Sequence, residues 1–471
     1  MDPTARPSQP QREDHLSPAE TRRALVVAAL AWGIFGSAWA SMVSGAPFVS
    51  FLREKLGAST VVYGLFSSLP FLGVLAQLPG SWWAERTRRR KSLFLVTATA
   101  NRMIWFAIAA LPWLISARYP DARLTLLLVL IMIGSVLGNA GTPAWFSWFA
   151  DMIPERIRGR YLGRRAALAT LTAIVVSATI SRIIDRSDSF PTFAVIFSIA
   201  AVLGLADIQL FFLVREPRMP PREEPWRLWS VILEPLRNRP FRGYLLYALS
   251  EAFMFGFAGT FFWLMGLEGL KIGKFWSNTY VMVGPMVFTA LSLPAWGRVA
   301  DRFGSRPLVT LGTLMSIVFP VCWLLATPGH YHTLLAAAAV IGGLFGAAIQ
   351  VGDMNMVFAL TPRESRSAYL AVLSLASSLG WAVAPVLGSA VAQVLTPVHL
   401  HAAGLTFGNL HFLMMISIVL RLLHVSLVIP RLPEVEPKPT GAVVRYLASC
   451  PFSCFVRFFF PVTRREAGED E

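Results

Sequence analysis

The chain has 471 residues, of which 55% are hydrophobic and only 15% are charged, and its mean hydropathy is +0.56. Soluble globular proteins carry roughly 25% charged residues, so this composition argues against a soluble enzyme. The net charge of +15 does not indicate a nucleic-acid partner, because the Lys and Arg residues punctuate apolar runs instead of clustering on one face. Residues 1–22 are polar and lack an apolar core, which predicts a disordered cytoplasmic tail and not a signal peptide.

Twelve apolar segments are long enough, at about 20 residues each, to cross a membrane. We expect helices, because lipid offers the backbone polar groups no hydrogen-bonding partner. The predicted spans are 24–47, 59–80, 93–115, 123–149, 164–184, 190–213, 243–267, 276–298, 307–327, 333–359, 369–394 and 406–429. A basic, Pro-rich segment, 214–242, separates six spans from six, and its amphipathic stretch from Trp229 to Leu236 predicts an interfacial helix.

The basic residues set the orientation. The segments predicted to be cytoplasmic hold 32 Lys and Arg, and the outer loops hold 8. This bias predicts that both termini are cytoplasmic, in the cell (inner) membrane. The predicted domains are an N-terminal tail over 1–22, a six-helix bundle over 23–213, a linker over 214–242, a second bundle over 243–430 and a basic C-terminal tail over 431–471. Cys450 and Cys454 in that tail suit either acylation or a plain amphipathic segment.

The two halves of the chain repeat. Pro, Arg, Tyr and Leu recur at an offset of 208 residues after the fourth and tenth spans. The matched pairs are Pro154 and Pro362, Arg158 and Arg366, Tyr161 and Tyr369, and Leu162 and Leu370. The same offset maps the G-x-x-x-G of Gly134 and Gly138 onto Gly342 and Gly346. Small residues at this spacing let helices in a membrane approach closely.

A second repeat, at an offset of 216, places an acid followed by Arg after the second and eighth spans. The later copy contains Gly297, Asp301, Arg302 and Gly304, and it resembles the G-x-x-x-D-R-x-G-x-[RK] loop of the major facilitator superfamily. The earlier copy departs from that pattern. Ser81 stands for the first Gly, Glu85 for Asp, and Arg88 for the second Gly. With twelve spans divided six and six, the resemblance covers nearly the whole chain.

The resemblance implies an all-α integral membrane fold of twelve transmembrane helices in two pseudo-symmetric six-helix bundles. It also implies that the repeated loop latches the two halves in an outward-open state. On this hypothesis Glu85 and Arg86, like Asp301 and Arg302, have a gating role. We further expect Glu85 to cap span eleven and Arg86 or Arg89 to pair with Asp151 at the end of span four. A simpler role for the loop, as a set of positive-inside anchors, stays open.

Ionisable residues inside a span are costly and need a reason. Of the 27 acidic residues, three fall well inside a span: Asp207, Glu251 and Asp353. In the resembling family spans one, four, seven and ten line the central cavity, which places Glu251 and Asp353 there. Glu251 lies on an aromatic stripe with Tyr247, where desolvation disfavours a charged carboxyl, so we expect it to carry the coupling proton.

Asp353 lies near Gln350 and Asn355, and this polar cluster predicts substrate contact or a self-satisfied network between helices. Aromatic residues such as Trp145 in span four are further substrate candidates, with lipid-facing packing or anchoring at the membrane interface as the alternative. Arg102 in span three predicts a buried ion pair with Asp207, with contact to an anionic substrate as the alternative. Arg421 in span twelve is expected to snorkel toward the inner surface.

No P-loop, C-x-x-C, H-E-x-x-H or dinucleotide motif occurs in the chain. We therefore expect no cofactor, no metal and no catalytic residue. The prediction is a monomeric secondary transporter that moves a small-molecule substrate across the lipid bilayer by alternating access. The alternatives are a transport-inactive receptor or structural protein of this fold and a membrane-embedded enzyme. Symport, antiport and uniport stay open, although the absence of a Gly-Pro antiporter signature from span five disfavours drug/proton antiport.

Overall fold

The computed structural model describes residues 16–217, 228–362, 366–402, 405–432 and 439–449. Within these ranges, twelve helices are long and apolar enough to cross a membrane. In chain order, spans 1 to 12 are Pro18–Lys55, Thr60–Thr87, Arg90–Leu114, Pro120–Met152, Arg160–Arg186, Phe190–Leu213, Arg239–Gly269, Lys274–Phe303, Ser305–Leu325, Tyr331–Leu360, Tyr369–Val394 and Asn409–Arg431. The twelve predicted spans are thereby confirmed.

Most of the observed spans extend beyond their predicted ends. Span 1 begins at Pro18 because Ser17 and Glu20 form a capping box, in which each side chain accepts a hydrogen bond from the other residue's backbone N–H. Such polar turns continue a helix beyond its apolar middle. Hydropathy detects only the apolar middle, so the sequence predicted span 1 to be too short.

Several spans depart from regular α-helix. π-helical turns interrupt span 1 at Ala31–Gly36, span 7 at Met265–Gly269 and span 12 at His424–Val428. Span 1 is also broken at Gly45, whose φ of 61° lies in the left-handed region that favours glycine. π-helical turns are rare and occur frequently at functional sites. The turn in span 12 lies beside the candidate site described below.

Three further elements join the spans or follow them. A linker helix, Leu228–Arg237, confirms the helix that the sequence predicted between spans 6 and 7. A tail helix, Thr440–Ser449, follows span 12. Strands β1 (Leu400–Ala402) and β2 (Leu405–Phe407) form an antiparallel hairpin between spans 11 and 12, which the sequence did not predict because three-residue strands are too short to show an alternating pattern. Cys450, Cys454 and most of the predicted N-terminal tail lie outside the described residues.

The chain forms two compact units. One contains residues Met1–Ala58 and Leu69–Leu228, and the other contains Ser59–Ser68 and Trp229–Glu471. The core of the first unit is centred on aromatic residues of spans 3, 4 and 6, and that of the second on aromatic residues of spans 7 and 11. Residues Ser59–Ser68, the first turns of span 2, belong to the second unit. Within that unit, the Tyr63 hydroxyl donates to the Thr260 carbonyl at 2.8 Å.

The repeat predicted at an offset of 208 appears in each unit as a hydrogen bond of the repeated tyrosine's hydroxyl, which donates in the first unit and accepts in the second. The Tyr161 hydroxyl, at the start of span 5, donates to the Leu25 carbonyl in span 1 at 2.7 Å. Its counterpart Tyr369, at the start of span 11, accepts from the side-chain amide of Asn238 at 3.2 Å. Asn238 caps the helix of span 7. Each unit thus ties its fifth helix to the beginning of its first.

Candidate functional site

Spans 7 and 10 bring two carboxyl groups together within the second unit. The Tyr247 hydroxyl lies 2.9 Å from Oε1 of Glu251 and 2.8 Å from Oδ1 of Asp353. Tyr247 and Glu251 are four residues apart in the helix Arg239–Gly259, so they share one helix face. Tyr247 is completely buried. The sequence predicted both acids as candidates, but nothing in it indicated that they share one tyrosine.

The available hydrogen atoms limit how these three side chains can be bonded. A tyrosine hydroxyl carries one hydrogen, and an ionised carboxylate only accepts. The two contacts to the hydroxyl are therefore both hydrogen bonds only when one carboxyl is protonated and donates to the phenol oxygen. Among the described residues, no Lys, Arg or His forms an ion pair with Glu251 or Asp353. The geometry suits two carboxyl groups that share one proton.

Aromatic and polar side chains hold Tyr247 in place. Tyr244 stacks on it with ring centroids 5.6 Å apart, and the Tyr244 hydroxyl donates to the Asp353 carbonyl at 3.2 Å. On span 12, the ring of His424 lies 5.1 Å from the Tyr247 ring, and its Nδ1 lies 3.1 Å from the Ser250 hydroxyl. The phenol is therefore fixed by contacts from spans 7 and 12, and its hydroxyl is directed at both carboxyl groups.

Arg421 is a buried cation near this site, and the prediction that it snorkels is wrong. Its side chain donates to Ser316 and Ser417, and its guanidinium lies 5.0 Å from the Phe255 ring. The residue is 3% exposed. Serine and aromatic partners satisfy the guanidinium within the helix bundle, so the long side chain has no need to reach the surface. No acidic ion-pair partner for Arg421 occurs in the part of the chain that the structure describes.

Gln350 and Asn355 do not join Asp353 in the predicted polar cluster. Both side chains are exposed, and no hydrogen bond between either of them and Asp353 is found in the described ranges. Asn355 is two residues from Asp353, which places it about 200° around the helix. Trp145 lies in the first unit, stacked on Phe94 with centroids 4.9 Å apart. The structure therefore brings together Tyr247, Glu251 and Asp353 from the predicted set, and contact of the other three with substrate stays a prediction.

The predicted ion pair of the first unit is confirmed. Arg102 Nη2 lies 3.3 Å from Asp207 Oδ2, and Nη1 donates to Asn101 at 2.6 Å. The guanidinium also lies 3.4 Å from the centroid of a Trp39 ring. Gly204 makes room for it, because a Cβ there would lie 2.5 Å from Arg102 Cδ. The first unit thus balances its buried acid with a cation, unlike the carboxyl pair of the second unit.

In the first loop copy, the predicted partner of Asp151 was Arg86 or Arg89, and this prediction is wrong. Arg90 takes that place, with Nη1 2.6 Å from Asp151 Oδ2. Arg90 is the first residue of the helix of span 3, where it is 1% exposed. Arg89 precedes that helix and is exposed, and Arg86 lies over the ring of Trp82 on its own helix, 5.2 Å from the centroid. The side chain that faces span 4 is thus Arg90, one residue after the predicted Arg89.

The second loop copy ends on a turn that requires glycine. Gly304 has φ 84° and ψ 178°, a region essentially restricted to glycine. Its counterpart at an offset of 216, Arg88, also has positive φ, at 54°. Asp301 is exposed, and Arg302 lies 4.8 Å from the ring centroid of Tyr446 on the tail helix. The backbone of both copies therefore turns at the same position, although one copy has lost its glycine.

The remaining predicted residues lie apart from the carboxyl pair. Arg158 donates to the Ile153 carbonyl at 3.4 Å, at the start of span 5. Its repeat partner Arg366 begins the helix of span 11, and its side chain lies outside the described part of the chain. Glu85 is half-buried near the end of span 2, and no atom lies within 4 Å of where a Cβ at Gly297 would stand. The gating roles proposed for these loop residues stay predictions.

His424 and Arg90 are the functional candidates that sequence reasoning missed. A histidine well inside an apolar span was a detectable signal for His424, since such residues are rare in membranes. Arg90 carried no such signal. It is one of four basic residues in a row from Arg88 to Lys91, and only the helix start distinguishes it.

The family model for the Major Facilitator Superfamily matches residues 24–288 and 276–460. The multidrug resistance protein MdtG of Dickeya zeae (strain Ech586) is 29% identical over 131 residues, which is 27% of this chain and 30% of that protein. The quinolone resistance protein NorA of Staphylococcus aureus is 25% identical over 156 residues, 33% of this chain and 37% of NorA. The matched segments thus span about a third of the length of these curated relatives.

Two solved structures share the fold across most of the chain. A mutant form of the nucleoside transporter NupG superposes with a TM-score of 0.68 at 12% identity, over 88% of this chain and 100% of that one. A bacterial homologue of the human lysosomal transporter Spinster, in an inward-facing and occupied conformation, gives a TM-score of 0.68 at 16% identity, over 88% and 97% of the two chains. The predicted fold class is confirmed.

Proposed function

The chain belongs to the major facilitator superfamily, and we propose that it is a secondary transporter, coupled to protons, that moves a small solute by alternating access. The family match and the transporters that share the fold support this activity and do not favour a transport-inactive protein. The observation that carries the coupling is the contact of one hydroxyl, on Tyr247, with the carboxyl groups of both Glu251 and Asp353. The proposal assigns the chain no enzymatic activity.

The coupling proposal treats the two carboxyl groups as one proton site. The sequence suggested separate tasks, with the proton on Glu251 and the substrate on Asp353. Because both groups contact the same hydroxyl, a proton gained or lost by one changes the bonding of the other. Loading and releasing one shared proton would then alter the contact between span 7, which carries Glu251, and span 10, which carries Asp353. Proton binding is thereby linked to a movement of helices.

The solute class is proposed from the names of the similar proteins. One is named for quinolone resistance, one for multidrug resistance and one for nucleoside transport. Quinolones and nucleosides both carry planar rings. We therefore propose a small ring-bearing organic solute. Either direction of transport, uptake or efflux, agrees with this proposal.

The proposal extends to membrane topology and to the division of the chain. The fourfold excess of Lys and Arg in alternate loops, 32 against 8, supports cytoplasmic termini and a place in the cell membrane. Twelve candidate spans among the described residues support a multi-pass protein. We also propose one bundle over 23–213, a linker over 214–242 and a second bundle over 243–430. The proposed transporter acts as a monomer and binds no nucleic acid.

Uptake into proteoliposomes tests the transport activity. The purified chain is reconstituted, a pH gradient is imposed, and accumulation of a labelled quinolone or nucleoside is followed, as is exchange without a gradient. Glu251→Gln is expected to abolish accumulation and to leave exchange largely intact. The matched control is Glu268→Gln, which changes an exposed carboxyl at the far end of the same span, and it is expected to behave like the wild type.

The outcomes separate the alternatives. If the wild type moves none of a panel of ring-bearing solutes, a receptor or structural role replaces transport. If Glu251→Gln accumulates solute normally, the carboxyl is structural and a uniporter becomes the better proposal. Infrared spectroscopy of the purified protein provides a readout that needs no solute. A protonated-carboxyl band is expected in the wild type and in Glu268→Gln, and it should be lost in Glu251→Gln.

A further inference from the structure

A groove of about 590 Å³ opens at the beginning of span 1, within the first unit. Its walls are mostly apolar, and they come from the first three turns of span 1 and from the residues that lead into span 5. The residues that matter here are Arg22, Leu25, Val26, Ala29, Pro154 and Tyr161.

The length of the groove matches one leaflet of a membrane. It follows span 1 from Pro18 to Ala29, within the unbroken α-helix Pro18–Leu30. Eleven residues of helix rise about 16 Å, and half of the hydrocarbon core of a bilayer is about 15 Å thick. Arg22 lies toward the end of span 1 where the helix begins, and Val26 and Ala29 lie deeper. The groove therefore has a polar mouth and an apolar depth on the scale of one acyl chain.

Two hydrogen bonds fix the walls. The Tyr161 hydroxyl donates to the Leu25 carbonyl at 2.7 Å, and Nε of Arg165 donates to the Ala28 carbonyl at 3.0 Å. The Arg165 guanidinium also covers the Phe149 ring at 4.7 Å. These bonds join spans 1 and 5 at two successive turns. The groove is thus a built feature of the unit and does not depend on loosely packed side chains.

One arginine lines the groove, and two more lie close in sequence to its wall residue Tyr161. Arg22 lines it, and Arg160 and Arg164 lie one and three residues from Tyr161 on span 5; all three are exposed. Two acids near the groove whose side chains the structure describes are already engaged. Glu20 accepts from Arg215 at 3.4 Å and Asp151 from Arg90 at 2.6 Å. Among the described side chains, no ion pair involves the three exposed arginines.

We propose that this groove binds an anionic phospholipid, with one acyl chain along Val26 and Ala29 and the phosphate near Arg22. Basic pockets between transmembrane helices suit anionic head groups, and each arginine adds attraction to the lipid. A guanidinium pairs well with a phosphate. In a zwitterionic head group the lipid's own cation offsets the negative charge of the phosphate, so the attraction to an arginine is weaker than for an anionic head group. The apolar walls distinguish a lipid from a free phosphate ion, which would gain nothing from them.

Lipid-dependent thermal stability of the full-length protein tests the proposal. The purified chain is titrated with phosphatidylglycerol and, separately, with phosphatidylcholine of the same acyl chains. Phosphatidylglycerol is expected to raise the unfolding temperature more than phosphatidylcholine, because a ligand that binds the folded state stabilises it. Glycerol phosphate at the same concentration is expected to have no effect.

Two kinds of variant separate the head group from the acyl chain. Arg22→Gln and Arg164→Gln are each expected to weaken phosphatidylglycerol binding about fivefold. Val26→Trp fills the groove from an exposed position, 51% accessible in the wild type, and it is expected to abolish the preference. The matched control is Arg118→Gln, an exposed arginine in the loop between spans 3 and 4, which should retain the wild-type response.

Three results would overturn the proposal: equal effects of the two lipids on the wild type, an unchanged response in Val26→Trp, or stabilisation by glycerol phosphate alone. The last result would indicate a simple anion site at the arginines. Each variant is first checked for wild-type elution on gel filtration, and Arg22→Gln supplies the test if Val26→Trp fails to fold. Since no transport is measured, these results are independent of the proposed coupling.

Discussion

Arg90 and Asp151 form an ion pair of 2.6 Å between the first residue of the span 3 helix and the last turns of span 4. The Arg90 side chain is 2% exposed and that of Asp151 44%, so the guanidinium is the desolvated partner. Glu216 lies 3.5 Å from Nε, and the Pro217 carbonyl accepts from Nη2 at 3.1 Å. The buried arginine therefore ties the loop before span 3 to the segment that follows span 6.

Asp151→Asn is expected to lower the free energy of unfolding by about 1–3 kcal/mol, because it removes the charged acceptor of a buried guanidinium. Thermal unfolding in detergent measures the change. Asp301→Asn, which alters an exposed acid in the second loop copy, is the control and should be nearly neutral. Equal melting temperatures for Asp151→Asn and the wild type would show that Glu216 and the carbonyl suffice for Arg90.

Gly304→Ala is expected to destabilise the protein by about 1–3 kcal/mol, because φ 84° with ψ 178° is accessible essentially to glycine alone. Gly297→Ala is the matched control within the same loop motif. It lies inside a helix with open space where its Cβ would stand, so helix propensity predicts a gain of about 0.5–1 kcal/mol. A loss at Gly297 equal to that at Gly304 would mean that the motif glycines are kept for reasons other than local backbone geometry.

The sequence predicted the fold well because its signals are local. Apolar length defines each span, and the spacing of Tyr161 and Tyr369 predicted a repeat that the structure displays as matched contacts. The candidate site was predicted only in part. Glu251 and Asp353 were identified by the rarity of acids in membranes, but their shared tyrosine depends on how spans 7 and 10 are rotated. Helical rotation is set by packing, which the hydropathy of a single span does not reveal.

The ion pair of Arg102 and Asp207 provides a second stability test. Asp207→Asn leaves a guanidinium that is 8% exposed without its counter-ion, and breaking a buried pair in this way costs about 3–5 kcal/mol. Replacing both residues, as Arg102→Met with Asp207→Leu, is expected to cost less than Asp207→Asn alone. Unfolding of the wild type, Arg102→Met, Asp207→Leu and the double variant, as a double-mutant cycle, measures the coupling. Additive effects would show that Trp39 and Asn101 hold Arg102 without help from the acid.

His424 is expected to tolerate Asn better than Gln. The Ser250 hydroxyl donates its single hydrogen to the Tyr247 carbonyl at 2.9 Å, so in the 3.1 Å contact Nδ1 of His424 must be the donor. The amide nitrogen of Asn reproduces that donor, and Gln places its amide near the position of Nε2. We expect Gln to lower stability by about 0.5–1.5 kcal/mol relative to Asn. In a Ser250→Ala background the two variants should melt alike, and a persistent difference would contradict this hydrogen-bond assignment.

Tyr247→Phe tests whether the two carboxyl groups act as one proton site. The substitution keeps the buried ring against Tyr244 and His424 and removes the hydroxyl that contacts Glu251 and Asp353. A hydrogen bond to a charged group contributes about 1.5–3 kcal/mol, so proton-driven accumulation should fall at least about tenfold. Exchange without a gradient should change little, since no acid is removed.

The control for this substitution is Tyr244→Phe. Its hydroxyl donates to the Asp353 backbone carbonyl at 3.2 Å, so the variant loses a buried hydrogen bond in the same aromatic stack without touching either carboxyl group. Both variants should lose similar stability in a thermal melt, and only Tyr247→Phe should lose accumulation. If the two lost accumulation equally, the stack would act by positioning span 10 as a whole. If Tyr247→Phe accumulated solute normally, Glu251 and Asp353 would have to exchange their proton directly, without the hydroxyl between them.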